Sequence, residues 1–252
     1  MALSARKQEI KDEFVRVRGD WDPAWDSVLE LDPEFMHAYT NFAKVPWEKR
    51  RLDPLTREYI HIAVDAAATH LYAPGIRAHI RAALRLGSSA AHIMEVLECT
   101  ATLGIHAMNI GVPVLVAVLE ERGLREEPAP LSPEQERMKE EFTQTRGYWH
   151  SFWDDILELD PEIFDAYTEF SSFPWRTGTL EPKVRELVYI AFDAAATHLY
   201  VKGLKLHIEN ALGYGATVGE ILEVMEIASL LGMHGVATAM PILKEELDHV
   251  SE

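Results

Sequence analysis

The stretch Asp65-Ala-Ala-Ala-Thr-His-Leu-Tyr72 occurs a second time, unchanged, as Asp193 to Tyr200. The offset of 128 positions holds without gaps along nearly the whole chain. Arg18-Gly19 matches Arg146-Gly147, and the segment Leu29 to Glu34 matches Leu157 to Glu162. Pro46-Trp47 matches Pro174-Trp175, Gly87 matches Gly215, and Leu103-Gly104 with His106 matches Leu231-Gly232 with His234. The tryptophans pair the same way: Trp21 with Trp149, Trp25 with Trp153, Trp47 with Trp175. Self-similarity at a fixed offset marks a tandem duplication. The reading is a first repeat over 1–122, a linker over 123–133 and a second repeat over 134–252. The linker carries three prolines and a glycine, which suits a short, stiff, exposed connection.

Each repeat reads as helical. Leu55, Tyr59, Ile62, Ala63 and Ala66 have helical spacing behind Asp53-Pro54, an N-cap with proline at the first helical position. Pro74-Gly75 is expected to break the chain before a helix from Ile76 to Leu86, which Gly87 ends as a left-handed cap. Ser88 or Ser89 opens a third helix, and Thr217 with Glu220 forms a capping box at the same place in the second repeat. One amphipathic helix is expected over Arg6 to Val28, with a short one after Asp32-Pro33. No run alternates as a strand would, so the expected class is all-α.

The composition narrows function. The 252 residues are 48% hydrophobic and 26% charged, which is ordinary globular usage. A net charge of −17, with no basic patch beyond Lys49-Arg50-Arg51, argues against nucleic acid and against anionic membrane surfaces. No apolar run is expected to be long enough to cross a bilayer. No secretory signal is read at the N-terminus, so a cytoplasmic location is the default expectation. The one cysteine, Cys99, faces Ile227 in the other repeat and reads as a buried apolar residue. Phosphate-binding loops, nucleophile elbows and the HExxH zinc motif are all absent.

The histidines point to a site. His70/His198, His79/His207 and His106/His234 are duplicated, whereas His37, His61, His92, His150 and His249 are not. Three packed helices in each repeat would bring its three duplicated histidines to one pocket. Imidazole transfers protons near neutral pH and also ligates metals. Asp65/Asp193 and Glu58/Glu186 lie nearly on one helical face, Arg57/Arg185 precede the glutamates, and Glu95/Glu223 lie on the third helix. Tyr72/Tyr200 and Trp47/Trp175 complete the candidates, as donors or as pocket walls. A buried aspartate in an alanine-rich stretch needs a partner, either an arginine such as Arg57 or a histidine that it orients.

Arg57-Glu58, the alanine-rich stretch, His79, Ala83-Leu84 with Gly87, and Glu95-Val96 together resemble the carboxymuconolactone decarboxylase family, which includes the alkylhydroperoxidase D group. Arg185-Glu186, His207, Ala211-Leu212 with Gly215, and Glu223-Val224 repeat the pattern. The resemblance implies a tandem pair of alkylhydroperoxidase D-like helical domains. It further implies homo-oligomers, here a trimer of tandem chains imitating a hexamer. The peroxidase branch carries a CxxC pair before the histidine. Tyr72 and Gly75, and Tyr200 and Gly203, stand at those positions, so thiol peroxidase chemistry has no thiolate to use. The spacing from Glu58 to His79 is also longer than in that branch.

Three expectations follow. The first is a decarboxylase-like lyase, with hydrolase or isomerase chemistry open, acting on a small anionic ring-cleavage-type acid or lactone of aromatic catabolism. Arg57 or Arg185 would hold the carboxylate, and His70, His79, His106, His198, His207 and His234 would move protons with Asp65, Asp193, Glu58 and Glu186. No cofactor is needed. The second is a metal-dependent enzyme in which the repeated histidines, with Asp65 or Glu95, hold a divalent transition metal. The third is a non-catalytic oligomeric binding protein.

Overall fold

The computed structural model describes residues 3–19 and 21–251. They form helices α1 (Ala5–Arg18), α2 (Asp26–Leu31), α3 (Pro33–Lys49), α4 (Pro54–Ala66), α5 (Ala73–Arg85), α6 (Ala90–Ala101) and α7 (His106–Glu121). The second repeat supplies α8 (Pro133–Arg146), α9 (Asp154–Leu159), α10 (Pro161–Thr177), α11 (Pro182–Ala194), α12 (Val201–Gly213), α13 (Val218–Ala228) and α14 (Gly232–Ser251). Among the described residues there is no strand, as the missing alternation implies.

Local chemistry sets the boundaries. Asp53 caps α4 through Leu55 and Thr56, Ser89 caps α6 through His92, and Thr217 with Glu220 closes the expected capping box on α13. Gly87, at φ +92, ends the α5 turn in the left-handed region. Three expectations need correction. The single helix expected over Arg6 to Val28 stops at Arg18, because Gly19 adopts φ +95 and caps α1, and Pro23 then starts a 3₁₀ turn. The helix after Asp32 is not short but runs 17 residues. Pro74-Gly75 does not break the chain: it lies in the first turn of α5, where proline has no lost hydrogen bond.

Packing does not follow the order of the repeats. One compact unit joins residues 1–88 to 182–252, and the other is 89–181. In the first unit, α4 and α11 lie side by side and are buried almost all round. The first repeat's opening helices contribute Phe14, Val28, Leu29 and Met36 to a core completed by Leu230 and Ala237 of the second repeat. In the second unit, α6 and α7 of the first repeat pack on α9 and α10 of the second. Phe142, Trp153 and Phe164 form its aromatic centre, with Phe142 5.3 Å from Trp153 and 5.6 Å from Phe164. The closing helices of each repeat thus cover the opening helices of the other.

Two stretches, Ala90–Glu121 and Val218–Val250, have the length and hydropathy of a bilayer span, contrary to expectation. Each passes through a 3₁₀ segment, and part of each apolar surface is packed in its unit.

Candidate functional site

α4 carries Glu58 and Asp65 two turns apart, and α5 carries His79 opposite both. His79 Nδ1 lies 2.7 Å from Glu58 Oε2, which fixes the imidazole and turns Nε2 toward Asp65, whose Oδ2 is 3.9 Å away. The longer spacing from Glu58 to His79 therefore does not separate them. His61 stacks beneath His79, with ring centres 4.0 Å apart and planes 4° apart, and Trp47 borders His61 at 5.1 Å.

Asp65 is fully buried, and neither of its carboxyl oxygens has a hydrogen-bond partner among the described residues. The backbone of Gly75 presses against it: a Cβ there would fall 2.1 Å from Asp65 Oδ2. Burial pushes the carboxyl up to about 8 against the opposing charge of Arg18, so Asp65 carries its proton at neutral pH. His234 Nδ1 stands 3.4 Å from Asp65 Oδ1 and 2.8 Å from His70 Nε2, and its ring lies on Tyr72 at 4.0 Å. Burial, then the nearby positive charges of His70, His79 and Arg18, takes His234 down to about 3. Burial lowers His70 as well and raises Tyr72 to about 12. The Asp65–His234 contact at neutral pH therefore joins two neutral groups and is not an ion pair.

The third histidine of this cluster differs from expectation. His70 and His79 are joined by His234 of the second repeat, not by His106. The physical reason is the exchange of closing helices: α13 and α14 pack in the unit that holds α1 to α5, whereas His106, buried at the start of α7, belongs to the other unit.

Arg57 is committed elsewhere. Its Nε and Nη2 donate to Glu223 Oε1 at 3.1 and 3.0 Å, and Glu223 Oε2 accepts the Arg51 amide at 2.7 Å. Arg57 is 6% exposed, and its carboxylate partner Glu223 is fully buried. This pair, not Asp65 with Arg57, is the structural ion pair. Glu95 does the equivalent work in the second unit, accepting the amides of Thr179 at 2.7 Å and Leu180 at 3.0 Å. Two cations, Arg18 and Arg85, line the pocket, and Arg18 lies 3.7 Å over the Trp47 ring. Arg18, Trp47, Glu58, Tyr72, His79 and His234 line one pocket. Arg18 was missed as a site residue, although its duplication as Arg146 was a signal of the same strength as the histidines. Arg146 stands 5.3 Å from Trp175 in the second unit and donates to Ser171 O.

The second repeat rebuilds the imidazole–carboxylate pair. His207 Nδ1 lies 2.6 Å from Glu186 Oε2, and Tyr189 stacks on His207 at 4.4 Å, where His61 serves His79. Asp193 is buried and raised to about 8, by burial first and then by Glu186. Gly203 approaches it as Gly75 approaches Asp65. Arg185 and Tyr200 are buried, and burial lowers His198. His61 and Tyr189 escaped notice because an unduplicated residue type concealed a duplicated role.

The sequence profile of the carboxymuconolactone decarboxylase family matches residues 33–119 and 161–245. No curated protein matches the chain. A crystal structure from Burkholderia xenovorans LB400, provisionally assigned as a gamma-carboxymuconolactone decarboxylase subunit, is 52% identical. The match covers 97% of this chain and 98% of that one, with a TM-score of 0.93. With both halves matched in register and the imidazole–carboxylate pair formed in each, the chain belongs to the carboxymuconolactone decarboxylase family.

Proposed function

We propose that the chain is a lyase that decarboxylates a small anionic acid or lactone of the carboxymuconolactone type. His79 and His207 are the proton-transfer groups. The observation that carries this reading is the doubled imidazole–carboxylate pair, 2.7 Å in one repeat and 2.6 Å in the other. With Nδ1–H donated to the glutamate, Nε2 is the atom left to meet substrate. Arg18, which lines the pocket with Arg85, is assigned to hold the carboxylate, the role first expected of Arg57. When the carbon–carbon bond to CO2 breaks, its electron pair stays on the carbon skeleton, delocalised toward the lactone carbonyl. Protonated Nε2 then delivers its proton to that carbon. Asp65, which holds a proton at neutral pH, stands behind Nε2 to orient it and to replenish it. The same groups would serve lactone isomerisation, so product identity decides the reaction class. A cytoplasmic location, membership of an aromatic-catabolic route and a homotrimer belong to this reading and rest on the family.

The test is turnover of gamma-carboxymuconolactone, followed by CO2 release. Changing His79 or His207 to alanine is expected to remove about 10²–10⁴-fold of the rate at its own site. Release of CO2 at the wild-type rate by a folded double His79→Ala, His207→Ala variant would refute the assignment.

A further inference from the structure

We propose that Asp65, His70 and His234 form a binding site for one divalent transition-metal ion. Asp65, His70 and His234 each offer one donor atom, and these atoms all lie within 4.8 Å of one another. His234 Nδ1 is 2.8 Å from the histidine donor and 3.4 Å from the carboxyl donor. Ligands at about 2.0–2.2 Å from one ion stand about 3.0–3.5 Å apart, the lower value for octahedral and the upper for tetrahedral geometry. Small movements of the His70 ring would close the set without altering the helices.

A second observation is independent of those distances. Both oxygens of Asp65 are buried with no hydrogen-bond partner among the described residues. A buried polar atom without a partner is costly, and such atoms in a native fold commonly mark a missing ion or water. The carboxyl is also held in place: the Gly75 backbone blocks it on one side, and His79 Nε2 stands beyond Oδ2. The Tyr72 ring, parallel to His234 within 9°, sets the plane of that imidazole. Two imidazoles and one carboxylate leave coordination positions open, an arrangement that suits iron(II), zinc, cobalt(II) or manganese(II) better than magnesium or calcium, which prefer all-oxygen ligands. Arg18 and Arg85 oppose a cation here, and the carboxylates of Glu58 and Asp22 in the same pocket offset them. A bound ion would share Asp65 with the acid–base pair, and its ligand His234 lines the same pocket. Binding would expel the Asp65 proton, so the ion and the proton compete for this carboxyl, and ion binding is read separately from turnover.

The test uses the full-length, untagged chain, stripped with EDTA and titrated with Co2+, followed by visible absorption, and with Zn2+ by equilibrium dialysis. Each readout is binding, not turnover. The wild type is expected to bind at micromolar affinity or tighter. His70→Asn and His234→Ala are each expected to remove one equivalent, or to weaken it at least about a hundredfold, since loss of an outer partner alone costs 10–100-fold. His79→Ala is expected to retain that equivalent. Because the residue types recur in the second repeat, the loss of one equivalent is read, not the total. His70 sits in a half-buried turn, so His70→Asn keeps the test interpretable if His234→Ala does not fold by circular dichroism. Wild-type protein that binds neither ion at millimolar concentration overturns the proposal. Binding that survives in a folded His70→Asn variant, or that vanishes in a folded His79→Ala variant, overturns this ligand set.

Discussion

Changing Asp65 to asparagine is expected to stabilise the protein while damaging its site. The side chains are nearly the same size, and asparagine carries no charge to bury. In the unfolded chain Asp65 has the ordinary value near 3.8, and in the fold it is raised to about 8. Between these values the folded state holds a proton that the unfolded state has lost. Stability is therefore complete below pH 3.8 and falls as pH rises toward 8, by about 1.4 kcal/mol per pH unit for one carboxyl. Asp193 behaves alike. Burial lowers His61 and the half-buried His70, His198 and His234, so they act in the opposite sense below their unfolded value of 6.5. The window from pH 6.5 to 8 isolates the carboxyls. The assay is urea unfolding in EDTA across that window. The wild type is expected to lose about 2 kcal/mol per pH unit averaged over the window, the slope flattening near pH 8, and Asp65→Asn about half of that, and at pH 7.5 the variant gains up to about 5 kcal/mol. Parallel curves for the two proteins would refute the buried, protonated carboxyl.

Gly75→Ala places a methyl group 2.1 Å from Asp65 Oδ2, and the buried carboxyl has no room to swing away. A loss of about 1–3 kcal/mol and a drop in turnover are expected, and an unchanged Tm with full activity would show the approach to be loose. Arg57→Met strands the Glu223 charge on backbone amides alone and is expected to cost about 3–5 kcal/mol in urea unfolding; a change under about 1 kcal/mol would mean that the pair contributes nothing. Exposed Ile110, Val114 and Leu115 on α7, with Ile242, Leu243 and Leu247 on α14, form the apolar faces for the proposed trimer. Sedimentation should give three chain masses for the wild type and a smaller species for the double Val114→Asp, Leu243→Asp variant, and a monomeric wild type would end the trimer reading.

The all-α class was legible because helix signals in this chain are local. Asp53, Ser89 and Thr217 cap helices within a few residues of themselves, and Gly87 ends one within a single turn. The pairing of Glu58 with His79 was half legible: duplication marked both residues, but only the crossing of α4 and α5 sets them 2.7 Å apart. Partner choice between repeats was not legible. Nothing in the periodicity of α14 says which opening helices it covers, since either repeat offers the same apolar types, and so His106 stood where His234 belongs. The role of Arg57 failed for a related reason. Its carboxylate partner, Glu223, lies 166 positions away, and sequence distance carries no record of that contact.

The exchange of closing helices also decides what the duplication can do. A pocket that draws Glu58, Tyr72 and His79 from one repeat and His234 from the other cannot be altered by one repeat alone. Each duplicated residue is constrained by a neighbour encoded elsewhere, while the surroundings are left to drift. His61 lies under one paired imidazole, that of His79, and Tyr189 under the other, that of His207. Asn210 supports Glu186, where the first repeat has Ala82. Glu186 is 1% exposed against 13% for Glu58. A drier carboxylate binds its imidazole more strongly, because charge is less screened there. The two pairs are thus the same device in different solvents, and His79→Ala and His207→Ala should depress turnover by unequal amounts. Equal losses would mean that desolvation of the glutamate does not govern the strength of the pair.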